Sequence, residues 1–359
     1  MPPQTRSKPD EDPTPRPRRI TQKDLARRAG MTQATISLAL RNDAKISQET
    51  RERVQKIAQE MNYEPDPYLS GLSAYRNQTR THTYHGTIAW LSNWHRPTTA
   101  NWDGVNRWYF EGATRHAAQL GYRIEEHAIR AKGMSPERLA QILQARGIQG
   151  LLLPPQPTAG MEIEFPFERF SVLTFGYTLA KPEFNTVALH HYRAVELLFR
   201  KLLELDYKRP GLALDAAHDA RVDCLWSAAF WSEQRRLPTS RRVPLLVEKN
   251  LDRARFVGWV QRHKPDVIVA SAQDSHQWLI ESGVSVPRDM GFTLLTASAD
   301  SYFSGIWQNL QITGAKAVDA LIDMIHRGER GIPPVRSSIL VDASWRPGST
   351  VRESKEKSA

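Results

Sequence analysis

A chain of 359 residues has room for two or three domains, and with 40% hydrophobic and 9% aromatic residues it can bury a proper core. Its one cysteine, Cys224, excludes an internal disulfide and a cysteine-built zinc site, and fits a reducing compartment. The formal charge of +10 favours polyanionic partners without naming one; half of the excess falls in residues 1–80, with 15 Lys and Arg against 10 Asp and Glu.

Residues 1–19, MPPQTRSKPDEDPTPRPRR, are Pro-rich and charged, which predicts a disordered basic arm without the apolar stretch of a secretory signal. Apolar runs such as GLLLPP are far short of a membrane span, so no membrane partner is expected and the expected location is the cytoplasm. Over 20–64 three short helices are predicted. Thr21 and Asp24 form a capping box for the first, Ile20 can staple onto Leu25, and Leu25, Ala26 and Ala29 make its buried stripe up to the stop at Gly30. Thr32 caps the second, with Ile36, Ala39 and Leu40 apolar at helical spacing. Ser47 caps the third, whose Val54, Ile57, Ala58 and Met61 face inward.

The first two helices are joined at Gly30-Met31 by a turn tight enough for helix-turn-helix geometry. With Ile36 and Leu40 inward, Gln33, Ala34, Ser37, Leu38 and Arg41 fall on the opposite face, small and polar enough to enter a major groove. A surface helix of an ordinary bundle carries the same pattern, so this stretch alone leaves both readings open. In the following segment, a hinge helix and linker over 65–85, Asp66 caps and Pro67 takes the first helical position. Some two turns containing Gly71 would barely hold together in water, so this helix should order only against a partner.

From residue 86 to 350, strands such as GTIAWLS, IQGLLLP, RPGLALD and DVIVAS alternate with helices such as YFEGATRHAAQLGY and SPERLAQILQARG. Such alternation predicts parallel sheets wrapped by helices, and two successive runs of it predict two similar lobes with a cleft at the strand ends. Residues 351–359 read as a polar tail, too short for a coiled-coil heptad helix.

Taken together the chain resembles the LacI/GalR family of transcription regulators. ITQKDLARRAGMTQATISLALRNDAKISQETRERVQKIAQEMNYEPDPYLSGL carries the likeness most strongly; GATRHAAQLGY, LLELDYKRPGLAL, ASAQDSHQWLIESGVSVPRDMGF and ILVDASWRPGST carry it more loosely. The resemblance implies an all-α helix-turn-helix headpiece followed by an α/β, two-lobed, periplasmic-binding-protein-like domain. It places Thr32, Gln33, Ala34, Thr35, Ser37 and Leu38 at the DNA. Gln33 and Ala34 stand where operator preference varies, Gln suited to adenine and Ala to a thymine methyl. Leu38 replaces an arginine found in many members, a loss for which Arg41 can compensate. Thr21, Thr35, Lys45, Ser47 and Thr50 are the expected phosphate contacts, with simple capping as the alternative. Leu72 matches the hinge leucine that wedges open the central base step, with Leu69 beside it or packed on its twin; Asp66 departs from the usual Asn.

In the large domain the resemblance implies a small effector, sugar-like in class. Asp274 matches the aspartate that bonds ligand hydroxyls and Arg221 the arginine that anchors a ligand from the other lobe. Trp94 and Trp102 are expected at the mouth, with Trp226, Phe303 and Trp307 as further aromatics. The departures are LHHYR for an Asp-Asn and glycine, CLWS without glycine, and Gln273 for Asn; bulky rings in place of glycine should narrow the cleft. His190, His191, His276 and Cys224 invite a catalytic reading. However, no nucleophile elbow, phosphate loop or metal-spaced cluster accompanies them, so neither an enzyme nor a cofactor nor a metal is expected. The function expected is a repressor that binds a pseudo-palindromic operator as a homodimer under effector control. The alternative is a regulator that needs no ligand, or a protein corepressor, and whose large domain only dimerises.

Overall fold

Residues 20–40, 46–61, 63, 86–94, 105–298 and 302–353 are described by a computed structural model. The arm over 1–19, the hinge over 65–85 with Leu69 and Leu72, Arg41, Lys45, Trp102 and tail residues 354–359 lie outside the described residues, as do the side chains of Ala34 and Ser37. Cα proximity divides the chain into two units, Met1–Tyr75 and Arg76–Ala359.

The first unit holds α1 (Gln22–Ala29), α2 (Gln33–Leu40) and α3 (Gln48–Glu60). At the start of α1 the capping box is complete: the Thr21 hydroxyl accepts from the Asp24 amide and the Asp24 carboxylate accepts from the Thr21 amide. Gly30 ends α1 with φ 69°, a left-handed conformation that costs glycine little, and its N–H donates to the Ala26 carbonyl. Leu25, Ala26, Ala29, Ile36, Ala39, Val54 and Ala58 form the buried core, with Leu40, Ile57 and Met61 packed on its rim. Arg53 donates to the Ala29 carbonyl at 3.2 Å, which fastens α3 to the end of α1.

The second unit begins with β1 (Gly86–Ser92), α4 (Val105–Gln119), β2 (Tyr122–Ala128), α5 (Pro136–Ala145), β3 (Gly150–Leu153), β4 (Met161–Glu162), β5 (Ser171–Phe175), β6 (Leu179–Lys181) and β7 (Asn185–Leu189). The chain then crosses into a second lobe. There follow α6 (His191–Glu204), β8 (Pro210–Asp215), α7 (Ala216–Ala220), α8 (Leu225–Arg235), β9 (Leu246–Glu248), α9 (Arg253–His263), β10 (Val267–Ala270), α10 (Asp274–Glu281), β11 (Gly291–Leu294) and β12 (Ser304–Trp307). Last come α11 (Leu310–Arg327), β13 (Ser338–Val341) and β14 (Ser344–Arg346).

Each lobe has one six-stranded sheet, ordered β13-β7-β5-β3-β1-β2 in the first and β14-β12-β11-β10-β8-β9 in the second. Relabelled by lobe, the two orders coincide, which bears out the expected pair of similar lobes. All neighbours are parallel except β14, which runs antiparallel to β12. Central strands such as GLLL in β3 and VIVA in β10 are buried along their whole length, as a sheet covered on both faces requires.

The lobes are not two successive runs, and here the sequence expectation is corrected. After β12 the chain returns to the first lobe, where Ala317, Val318, Leu321 and Ile322 of α11 join its core and β13 extends its sheet. It crosses back once more to lay β14 on β12. A first lobe ending at β7 would leave bare the sheet face that α11 covers, so the distant segment is drawn in by burial. α4 and α11 meet backbone to backbone at Gly112 and Gly314, where a Cβ would run into the carbonyls of Gln311 and Tyr109 respectively.

Candidate DNA-reading helix and interlobe cleft

The Thr32 hydroxyl accepts from the Thr35 amide at 3.1 Å and shares a 2.9 Å bond with the Thr35 hydroxyl, which starts α2. Ser47 does the same for α3 with Thr50, at 3.3 and 2.8 Å. Two hydroxyls that share one bond use one proton between them, so each pair keeps a second proton to donate to a phosphate oxygen. Capping and phosphate contact are therefore compatible at Thr32, Thr35, Ser47 and Thr50. Thr21 differs, because its hydroxyl donates to Asp24 at 2.7 Å as well as accepting from it. Thr32 and Gln33 are exposed, Thr35 and Leu38 half-buried. Gln33 is thus exposed in the first turn of α2, a helix whose Ile36 and Ala39 are buried.

In the large unit, the reversals of strand order fall between β1 and β3 in one lobe and between β8 and β10 in the other. A crevice opens at such a point beyond the strand ends. Past β1 lie Asn93 and Trp94, whose indole N–H donates to the Pro155 carbonyl at 3.1 Å. Past β3 lies Gln156, buried, its amide N–H on the Thr178 hydroxyl at 2.6 Å and its side-chain nitrogen on the Pro154 carbonyl at 2.7 Å. From the second lobe one terminal nitrogen of Arg221 donates to the carbonyls of Gln156 at 3.0 Å and Pro157 at 2.7 Å. The two lobes are thus joined by a direct polar bond through the very arginine singled out as a ligand anchor. Burial lowers the pKa of this guanidinium, partly offset by Tyr109; burial, reinforced by Tyr177, holds the Tyr109 phenol above its usual range against the pull of Arg221.

Asp274 is exposed as the first residue of α10, just past β10. Trp307, at the end of β12, meets Trp108 of the first lobe edge-on with centroids 6.1 Å apart. Phe303 packs among His276, Phe292 and Tyr302 within the second lobe, at centroid distances of 5.0, 5.6 and 5.6 Å, so its ring serves that lobe's core. Trp226 is buried and sits edge-on to His191 at 5.5 Å, while His191 faces Tyr177 of the first lobe at 5.8 Å. The two histidines of LHHYR have separate tasks. His190 caps α6, its Nδ1 accepting from the Arg193 amide at 3.3 Å, and His191 sits between the rings of Tyr177 and Trp226. Asn93, Gln156 and Tyr109 escaped the reading of the sequence. The signal that marks the first two is a polar residue within three positions of the end of an apolar strand beside the order reversal. Among the described residues no group of three or more His, Cys, Asp or Glu could hold a metal. No helix among them is long and apolar enough to cross a membrane.

Comparison with known proteins agrees with this geometry in two parts. Residues 21–66 match the family model described as bacterial regulatory proteins, lacI family. The HTH-type transcriptional repressor CytR of Escherichia coli K12 is 48% identical over 61 residues, 17% of either chain. The sucrose operon repressor of Klebsiella pneumoniae is 43% identical over 65 residues, 17% of this chain and 20% of that one. These matches span a fifth or less of the curated relatives' length. Over nearly the whole chain the fold is similar to that of solved regulators. A CelR–cellobiose complex aligns with TM-score 0.52 at 15% identity, covering 92% of this chain and all of that one. A lac repressor dimer bound to operator and the anti-inducer ONPF aligns with TM-score 0.51 at 17% identity, covering 93% and 99%.

The fold is therefore a helix-turn-helix headpiece joined to a two-lobed, periplasmic-binding-protein-like α/β body. Over residues 21–66 the headpiece is similar to the lacI family of bacterial regulatory proteins.

Proposed function

We propose that the protein is a transcriptional repressor that binds a pseudo-palindromic operator as a homodimer and answers to a small effector held between its lobes. The observation that carries the DNA part is the capped α2, with Gln33 exposed on a headpiece similar to the lacI family. In this reading Gln33, Ala34, Ser37 and Leu38 face base edges, with Arg41 beside them. Thr32, Thr35, Lys45, Ser47 and Thr50 meet phosphates. Thr21 is the weakest phosphate candidate, its proton being committed to Asp24. Leu72, with Leu69, wedges the centre of the site where the two protomers' hinge helices pair. The cleft, with Trp94, Arg221, Asp274 and Trp307 around it, takes the effector, whose binding to one lobe arrangement shifts the population of DNA-competent dimers; Trp102 keeps its expected role there from the sequence alone.

The bond from Arg221 to Gln156 and Pro157 favours a second reading to this extent: the lobes have a contact of their own that needs no ligand. The operator part is tested by competition binding of the full-length protein to an inverted-repeat site and to random duplex across a salt series. Leu72→Ala is expected to weaken the specific complex at least tenfold while leaving the salt-driven random-duplex affinity within twofold. Equal loss on both duplexes removes the wedge role.

A further inference from the structure

In the six-stranded sheet of the first lobe the outermost strands are β2 and β13, and in that of the second lobe they are β9 and β14. The outer side of such a strand offers unpaired main-chain groups to any other chain, and charged side chains are the usual protection. β2 carries Arg123, Glu125, Glu126 and His127, β9 carries Glu248 and β14 carries Arg346. β13, with the sequence SILV, carries no charge at all. Its Ser338, Ile339 and Leu340 are exposed, the last two at 42% each, and Val335 just before them at 80%.

One side of β13 is taken by β7. The carbonyls of Ser337 and Val341 accept from the amides of Thr186 at 3.0 Å and His190 at 2.8 Å, and Ile339 lies between them opposite Val187. Successive residues of a paired strand turn their N–H and C=O to alternate sides, so those of Ser338 and Leu340 point away from β7. This outward run is short. The Asp342 carbonyl already accepts from Nδ2 of Asn309 at 2.9 Å, and Pro334 has no N–H to offer. The run is flanked by one charge of each sign, Arg336 three residues before Ile339 and Asp342 three residues after it. Both are exposed, and Asp342 is paired with Arg193, also exposed, at 3.4 Å.

We propose that β13 is a self-pairing edge, on which a second copy of the chain lays its own β13 antiparallel about Ile339. In that register Ser338 stands opposite Leu340 of the copy and exchanges N–H and C=O with it, while Ile339 meets its twin at the axis. Arg336 then faces Asp342 of the copy, and Asp342 faces Arg336 of the copy, so the strand is its own complement in charge. A strand of four residues covers far less than the roughly 1,200 Å² of a stable complex, so the contact acts between copies already held near one another. The pairing rests on the strand alone; its use, joining one operator-bound homodimer to another, rests on the function proposed above.

Sedimentation of the full-length protein over a concentration series tests it. The parent should pass from one mass to twice that mass as concentration rises. Leu340→Pro, which removes an outward N–H and leaves the bonds to β7, should raise the concentration needed at least tenfold, with affinity for a single operator within twofold of the parent. Arg336→Asp should act likewise by setting acidic groups opposite each other, and adding Asp342→Arg should restore the doubling to within threefold of the parent. On a Cys224→Ser background, Ile339→Cys should cross-link to its copy under mild oxidation, because non-hydrogen-bonded partners bring their Cα atoms to about 4.5 Å. A parent that keeps one mass throughout overturns the inference. So does doubling that Leu340→Pro and Arg336→Asp leave unchanged, or a charge exchange that restores nothing. Doubling with the expected responses in a protein that shows no preference for an inverted repeat supports the pairing and removes only its use on operators.

Discussion

Protonating His191 where it stands would place a cation between the rings of Tyr177 and Trp226. Burial is the main cause of its depressed pKa, about 3 against an ordinary 6.5, and His190 adds to it. Between those values the unfolded chain binds a proton that the folded chain refuses, so stability falls as pH falls through this window. The contribution is complete above about pH 6.5 and declines by about 1.4 kcal/mol per pH unit below it. Chemical denaturation of the parent and of His191→Phe from pH 7 to 4.5 checks this: the parent should lose stability faster, and parallel curves would contradict it. At this scale the sequence was informative where a residue acts on its own neighbourhood. Thr21 with Asp24, Thr32, Ser47 and Gly30 do what local spacing predicts, because a cap involves only residues three or four apart. It was silent on Asn93 and Gln156, whose roles come from strands adjacent in the sheet and some sixty residues apart in the chain. Arg221 was found as a residue, but the partner it uses, a pair of carbonyls from the other lobe, has no signature in side-chain type.

At the scale of elements, the contact between α4 and α11 organises the first lobe. Gly112 and Gly314 let the helices approach until backbone lies against backbone, and Tyr109 leaves the same contact to reach the cleft. A methyl group at Gly112 meets a main-chain carbonyl, which cannot swing aside as a side-chain end can. Gly112→Ala should therefore cost about 3 kcal/mol of unfolding free energy, the upper part of the usual range for overpacking. An unfolding midpoint equal to that of the parent would show that the helices stand further apart than described. Helix periodicity identified α4 through GATRHAAQLGY and α5 through SPERLAQILQARG. It missed the membership of α11 in the first lobe, since an apolar stripe says that one face is buried and not which sheet buries it. Strands such as β9, β12, β13 and β14, three or four residues long, are too short for an alternation pattern to stand out.

For the molecule as a whole, a basic, one-sided helical unit and a two-lobed body are combined in one chain, and each makes physical sense of the other. A headpiece of three short helices reads only a few base pairs, so two of them on twofold-related half-sites are needed for specificity. In the function proposed for it, the body supplies what a small headpiece lacks: a surface on which copies pair, and a crevice whose occupancy biases their arrangement. That division was legible from composition and alternation, because charge surplus, helix caps and buried strands are all local signals. The threefold passage of the chain between lobes was not, because topology follows from which distant segment covers an exposed sheet face. The account stands or falls on the headpiece acting in pairs on DNA. Selection of bound fragments from the protein's own genome, followed by footprinting at moderate salt, measures this directly. The expected result is one inverted-repeat motif protected over both half-sites, with its centre sensitive to Leu72→Ala. Fragments sharing no motif, or a motif without twofold symmetry, would contradict it.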